Sequence, residues 1–351
     1  MDNSARATSH GGTLLRVDHG IARLLEAQGG VSSTRELERA GMSRHAVADA
    51  VRRGELVRVR RDAVVLAASL SRVAPWERRA LITRAVGHSL ARGGAPGDED
   101  EGGSVHALSH ASALTVHGLP TYGEADVVHL CRTDGARGRR DGTVWVHRPV
   151  DPEWTTVVDG LRVVTPVLAA LQVAATDGPE PGLVALDGVL HDARERDRQT
   201  GGTTEHDAAL AEVARVLEAR LVGRSRATRQ VVELADGRSE SVGESRSRWL
   251  LHLLGLGPWE LQHEVRDESG QLVGVADLKL VGHAVLLEFD GQLKYDDRRD
   301  LVAEKQREDR IRALGYEFVR LVWADLERPQ HVRQRVLEAL DRAVSRRRRP
   351  A

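Results

Sequence analysis

Asp277 interrupts the apolar run Leu272–Leu280, and after a turn at Gly282-His283 a second apolar run, 284–290, carries Glu288 and Asp290. Three carboxylates set among apolar residues are poorly solvated and repel one another, a cost that an oxygen-seeking divalent cation removes. Mg²⁺, with Mn²⁺ as a substitute, is the cation such a donor set suggests, held by Asp277, Glu288 and Asp290. Gln292 and Lys294 follow within a few residues, then Glu304, Lys305, Glu308 and Asp309, while Glu244 lies upstream. A metal held by carboxylates with an amine nearby suits phosphodiester hydrolysis: the metal activates water, and a lysine positions it or meets the developing charge. Glu244, Asp277, Glu288, Asp290 and Lys294 are therefore the candidate catalytic residues. The competing reading is a surface hairpin whose acidic ends pair with Lys279, Arg298 and Arg299.

To converge, these side chains need particular elements. Two strands paired as a hairpin let Asp277 face Glu288 across the ladder, and strand period two puts Glu288 and Asp290 on one face. Glu244 opens an amphipathic helix to about Leu254, with Trp249, Leu250, Leu253 and Leu254 on its buried side. A strand at 261–265 precedes the hairpin. A helix over roughly 301–314, a strand at 318–323 and a final helix carrying Val332, Val336, Leu337 and Leu340 follow it.

A second group of residues has chemistry of another kind. From Ser43 to Arg61 there are six arginines against Asp49 and Glu55, a local excess of four positive charges. The spacing predicts a helix from Asp18 to Gln28 and a short helix opened by the capping pattern Ser33-Thr34-Arg35-Glu36. A third helix, 44–53, is capped by Ser43 and closed by Gly54. Residues 56–61 alternate like a strand and 63–66 return. That order is a winged helix-turn-helix. Arg44 and His45 fall at the N-terminal end of the recognition helix, where base edges are read. Arg52 and Arg53 face outward on the same helix, and Arg58, Arg60 and Arg61 on the wing suit phosphates. The alternative is a solvated face on a protein-interaction module.

The chain has 351 residues, enough for two or three domains. With 51 basic and 52 acidic residues it is near neutral, so any nucleic-acid site must be a local patch. Three of the 51 are lysine (Lys279, Lys294 and Lys305), leaving 48 arginines, as a high-GC coding bias gives. The three lysines cluster around the carboxylates. Cys131 stands alone, which excludes an internal disulfide and a cysteine-based zinc site. No run approaches the roughly 20 apolar residues of a membrane span, and the first twelve residues have no signal-peptide core, so a cytoplasmic protein without a membrane partner is expected.

Between the two groups, residues 75–90 read as a helix and 91–103 as a Gly-rich linker with the acidic run Asp98-Glu99-Asp100-Glu101. Then come a helix at 109–118, strands at 126–131, 143–147 and 161–164, and helices at 166–175 and 182–194. His106, His110, His117 and His129 lack metal-motif spacing and read as caps and packing. The expected divisions are a tail (1–12), the winged helix (13–70), an α/β domain (75–195), a linker with a connecting helix (196–237), the carboxylate-bearing domain (238–345) and a basic tail (346–351).

Residues 241–337 resemble the very-short-patch-repair-endonuclease-like domain, a family of unknown function in the PD-(D/E)XK nuclease fold. The matching residues are Glu244, Asp277-Leu278, Leu287-Glu288-Phe289-Asp290-Gly291, the helix carrying Glu304 to Asp309, and Phe318-Val319-Arg320 before Trp323. The resemblance implies a restriction-endonuclease-like α/β/α domain with a Mg²⁺ site. Asp290 stands where the broader fold has lysine, and Lys294 where this branch often has histidine. Residues 13–190 resemble the AbiEi-type antitoxin family. The resemblance rests on Val57-Arg58-Val59-Arg60-Arg61, on Leu108-Ser109-His110-Ala111-Ser112-Ala113-Leu114 with His117-Gly118-Leu119-Pro120, and on Val158-Asp159-Gly160-Leu161 before Thr165-Pro166. The wing departs at Asp62-Ala63, where a Gly-aliphatic-aromatic run is typical. This family implies an antitoxin that represses its own operon, with double-stranded DNA and a cognate toxin or operon partner.

The whole is an α/β multidomain chain of two possible classes. One is a DNA-binding regulator of antitoxin type whose C-terminal fold is vestigial or structural. The other is a metal-dependent DNA endonuclease targeted by its winged helix.

Overall fold

Ser33 is both the last residue of a strand and the cap of a helix: its hydroxyl accepts from the Glu36 N–H at 3.2 Å, and the Glu36 carboxylate accepts from the Ser33 N–H at 2.9 Å. This reciprocal box fixes the start of the helix-turn-helix. The computed structural model describes residues 19–71, 73–93, 104–123, 127–223, 225–291 and 298–347. The chain forms two units, residues 1–108 with 126–163, and residues 109–125 with 164–351. The tail at 1–12, the expected cap Asp18 and the acidic run 98–101 lie outside the described residues.

The first unit opens with α1 (His19–Ala27), β1 (Val31–Ser33), α2 (Thr34–Arg39), α3 (Arg44–Arg52), β2 (Leu56–Arg60) and β3 (Ala63–Leu66). The sheet order is β1-β3-β2, both pairings antiparallel. The wing therefore has a third strand that the sequence reading lacked. Ile21, Leu25, Leu37, Val47, Ala50, Leu56 and Val64 form the small core beneath α3. After α4 (Ala67–Leu70), α5 (Pro75–Leu90) joins this module to a six-stranded sheet. That sheet consists of β4 (His106–Leu108), β5 (Val128–Arg132), β6 (Arg140–Asp141), β7 (Val144–Val146), β8 (Thr155–Val158) and β9 (Leu161–Val164), in the order β6-β7-β5-β4-β9-β8. A Cβ at Gly87 of α5 would lie 3.0 Å from Leu161 and 3.1 Å from Leu108, so the helix rests directly on the sheet. Cys131 is buried on β5, and burial pushes its thiol up to about 12.

The second unit begins with α6 (His110–His117), α7 (Pro166–Thr176), α8 (Pro179–Thr200), α9 (Thr204–Glu218) and α10 (Arg226–Leu234). Residues 196–200, read from composition as linker, continue α8, which ends at Gly201 with a φ of +70°. Asp197 explains the polarity there: its carboxylate accepts the N–H groups of Glu205 and His206, each at 2.9 Å, and so caps α9. Then follow α11 (Val242–Leu253), β10 (Trp259–Arg266), β11 (Leu272–Leu280), β12 (Val285–Phe289), α12 (Arg298–Ala313), β13 (Glu317–Leu321), α13 (Trp323–Leu326) and α14 (Pro329–Arg347). The sheet order is β10-β11-β12-β13, antiparallel except for the parallel pair β12·β13. One face carries Leu278, Leu287, Val319 and Leu321 against residues of α11 and α14; the other carries Leu286 and Phe318 against Ile311 of α12. Helices thus cover both faces of a mixed sheet. Arg346, expected in a basic tail, belongs to α14 and lies 2.8 Å from the buried Glu317 carboxylate.

Candidate functional site

The exposed basic face is built by α3. Ser43 caps it, accepting from the Ala46 N–H at 3.2 Å. Val47 and Ala50 are buried, and Arg44, His45, Arg52 and Arg53 are exposed, as the helical period requires. The arginine heads are partly engaged within the unit. Arg44, 88% exposed in its side chain, reaches Glu38 at 2.8 Å. Arg53 forks onto Glu55 at 2.9 and 3.1 Å, and Arg52 meets Asp49. On the wing, Arg58 bonds the Arg61 carbonyl, and Arg60 lies 3.8 Å from Asp141 of β6 with its side chain only 22% exposed. Arg61 projects into solvent at the β2–β3 turn. The surface retains its cations, but several are held by neighbouring carboxylates.

The carboxylates of the second unit sit around a kink. Gln262 has a φ of +51°, uncommon for a residue with a side chain, between the paired positions Leu261↔Leu278 and His263↔Ala276. Asp277 stands opposite it. Flat strand alternation would give Ala276 and Leu278 the same face; instead they enter the two different cores. The β11·β12 ladder pairs Leu278 with Leu287 and Lys279 with Leu286. At the next step the Asp277 side chain takes over, accepting the Phe289 N–H at 2.7 Å. Continued by one step, the same register would set Asp277 opposite Glu288.

Their charges are met differently. Burial, with the negative charges of Glu244 and Glu288 adding to it, pushes the Asp277 carboxyl up to about 7. Glu288 is 8% exposed, and each of its oxygens faces a guanidinium: Arg307 at 2.8 Å and Arg320 at 3.1 Å. Glu244 is equally buried and caps its own helix, accepting from the Ser241 hydroxyl at 2.8 Å, the Glu240 N–H at 3.0 Å and the Gln262 amide at 3.2 Å. Burial raises its carboxyl as well. Asp290 follows β12 and donates its N–H to the Leu321 carbonyl at 2.8 Å. Lys279 pairs with Glu260 at 3.7 Å. Gln292, Lys294 and the side chains of Arg298, Arg299 and Glu304 lie outside the described residues; Lys305 and Asp309 are exposed, and Glu308 binds Arg312. Among the described residues, no three of Glu244, Asp277, Glu288 and Asp290 bring ligand oxygens within 4.8 Å of one another. With both Glu288 oxygens on arginine, this arrangement does not fit the compact oxygen shell of a divalent cation.

Sequence reasoning did not single out Arg307, and it placed Arg320 in the nuclease-like pattern without pairing it to Glu288. One signal was present: Arg320 interrupts an apolar strand just as Glu288 does. The parallel register sets the two opposite each other. The reasoning also missed Arg246 of α11. Its guanidinium lies 4.1 Å from the centre of the Tyr122 ring and bonds Glu180 at 2.7 Å and Glu327 at 3.0 Å.

Comparison with known proteins adds a family match for the first module. Residues 19–67 match the family described as transcriptional regulator, AbiEi antitoxin. The matched segment runs from the start of α1 to the end of the wing. The chain is also 27% identical over 245 residues to the uncharacterized proteins MT2308 and Rv2248 of Mycobacterium tuberculosis, strains CDC 1551 and H37Rv, covering 69% of this chain and 83% of theirs. The crystal structure of the RV2827C protein from Mycobacterium tuberculosis aligns with 16% identity, covering 62% of this chain and 80% of that one, at a TM-score of 0.28. No helix among the described residues is long and apolar enough to cross a membrane.

Proposed function

We propose that the protein is a DNA-binding transcriptional regulator of antitoxin type, with α3 entering the major groove and the wing arginines on phosphates. The observation that carries this reading is the exposed basic face of α3, with Arg44 and His45 at its N-terminal end, in a segment that matches a regulator family. A cognate toxin or operon partner belongs to the same reading. Fluorescence anisotropy of the full chain with its own promoter duplex, against a scrambled duplex, tests it. Affinity should fall steeply with salt, and Arg44→Ala should narrow the difference between the two duplexes. Salt-independent binding, or none to either duplex, would overturn it.

A second reading, a Mg²⁺-dependent endonuclease targeted by the winged helix, is favoured by one observation: the Asp277 side chain accepts the Phe289 N–H beside Glu288, and burial, with the charges of Glu244 and Glu288, pushes its carboxyl up to about 7. Metal-dependent nicking of supercoiled plasmid, lost in Asp277→Ala, would establish it. That activity requires Glu288 to be released from both arginines.

A further inference from the structure

We infer that the nuclease-like site supplies its own cation: Arg307 and Arg320 neutralise Glu288 where a divalent ion is expected, making the carboxylate a clasp between α12, β12 and β13. This rests on the nuclease-like reading of these elements and is independent of DNA binding by the winged helix.

Three features build the clasp. Arg320 is fixed by the ladder, since β13 runs parallel to β12 with Glu288 and Arg320 in register, and its guanidinium meets Glu288 Oε2 at 3.1 Å. Arg307 arrives from α12 and lies across β11. Its Nη1 donates to the Val275 carbonyl at 3.3 Å and its Nη2 to Glu288 Oε1 at 2.8 Å. Gly274 leaves room for that path, because a Cβ there would come within 3.0 Å of the Arg307 guanidinium. Glu308 then anchors the group from the far side, 3.5 Å from Arg320 and 2.6 Å from Arg312.

The chemistry follows from charge and geometry. Mg²⁺ demands oxygen ligands near 2.0–2.1 Å in an octahedron. To bind Glu288 it would have to displace two part-buried guanidiniums while being repelled by both. A guanidinium pair satisfies the same carboxylate by charge-assisted hydrogen bonds with no ion from solution. The glutamate that in the family pattern would hold a metal instead ties the crossover helix to the sheet.

The full chain tests this by scanning calorimetry in EDTA, Mg²⁺ and Mn²⁺. The clasp predicts the same transition for the second unit in all three, because no divalent ion binds the folded state preferentially. Glu288→Gln removes the charge that compensates both arginines, so it should lower that transition by several degrees, equally with and without metal, and speed amide exchange at Glu288 and Phe289. A metal site gives the opposite signature: a divalent-dependent rise in the unmodified chain, and a metal-free transition in Glu288→Gln that stays put or rises as carboxylate repulsion is relieved. Either of those results overturns the inference. Should Glu288→Gln fail to fold, Arg307→Gln, which removes one of the two guanidiniums on Glu288, gives the second measurement. It should lower the transition in EDTA, and an unchanged transition would count against the clasp.

Discussion

His88 of α5 places its Nδ1 3.2 Å from Oε1 of Glu36 in α2, and the Glu36 residue is 6% exposed. The helix that rests on the six-stranded sheet is thereby tied to the start of the helix-turn-helix. Burial alone would raise the Glu36 carboxyl, but bonds from His88 and Ser33 outweigh it and hold the group down at about 2. Its unfolded value is the ordinary 4.5. A depressed carboxylate contributes stability that is fully present above the unfolded pKa and lost as pH falls through the folded one. The first unit should therefore lose on the order of 2–3 kcal/mol as pH falls from about 4.5 towards 2. Glu36→Gln should flatten that part of the stability curve, measured by urea unfolding at stepped pH. An unchanged slope would show that Glu36 is not the responsible group.

Gly243 permits α11 to touch the sheet. A Cβ there would meet the Phe289 ring at 1.9 Å, so Gly243→Ala must shift the helix or the ring. Overpacking of this kind costs about 1–3 kcal/mol or more. Thermal unfolding should show a clear drop, whereas Gly223→Ala, with open space around it, should be nearly neutral.

Asp187 on α8 is 1% exposed and accepts three donors: the Asp236 N–H at 2.8 Å, and the Ser245 hydroxyl and an Arg248 guanidinium at 2.7 Å each. Asp187→Asn keeps the size but leaves Arg248 buried without its counter-charge. That imbalance typically costs about 3 kcal/mol or more. Denaturant titration measures it, and a loss below about 1 kcal/mol would mean that the pair is more solvated than its burial indicates.

If the wing grips phosphates, Arg60 and Arg61 should behave differently. Arg61 is exposed, so Arg61→Ala should weaken all duplexes alike and reduce the salt slope by about one. Arg60 is held near Asp141, so Asp141→Ala should release it and steepen the slope. Anisotropy titrations over a range of salt concentrations check both, and identical slopes across the set would place the phosphate contacts elsewhere.

The first module was legible because its signals are local. A cap and its partner stand three residues apart, Ser43 precedes a helical period, and glycines close the helices. What escaped reading depends on distant pairing. Residues 31–33 form a strand only because Ala63, Val64 and Val65 lie beside them. The Ser225 cap of α10 was local but went unread. At the carboxylates, order and facing were readable from strand period. The cations that meet Glu288 were not, since Arg307 and Arg320 are 19 and 32 residues away in sequence. Spacing shows which charges share a strand; only the fold shows which opposite charge reaches them.

The burial of Cys131 makes the chain convenient for thiol chemistry. With its thiol raised to about 12 and shut inside the sheet, it holds almost no thiolate at neutral pH and should resist maleimide in the folded state. A cysteine introduced on the exposed side of α3, at His45 for instance, can then carry a fluorophore without first removing the native one.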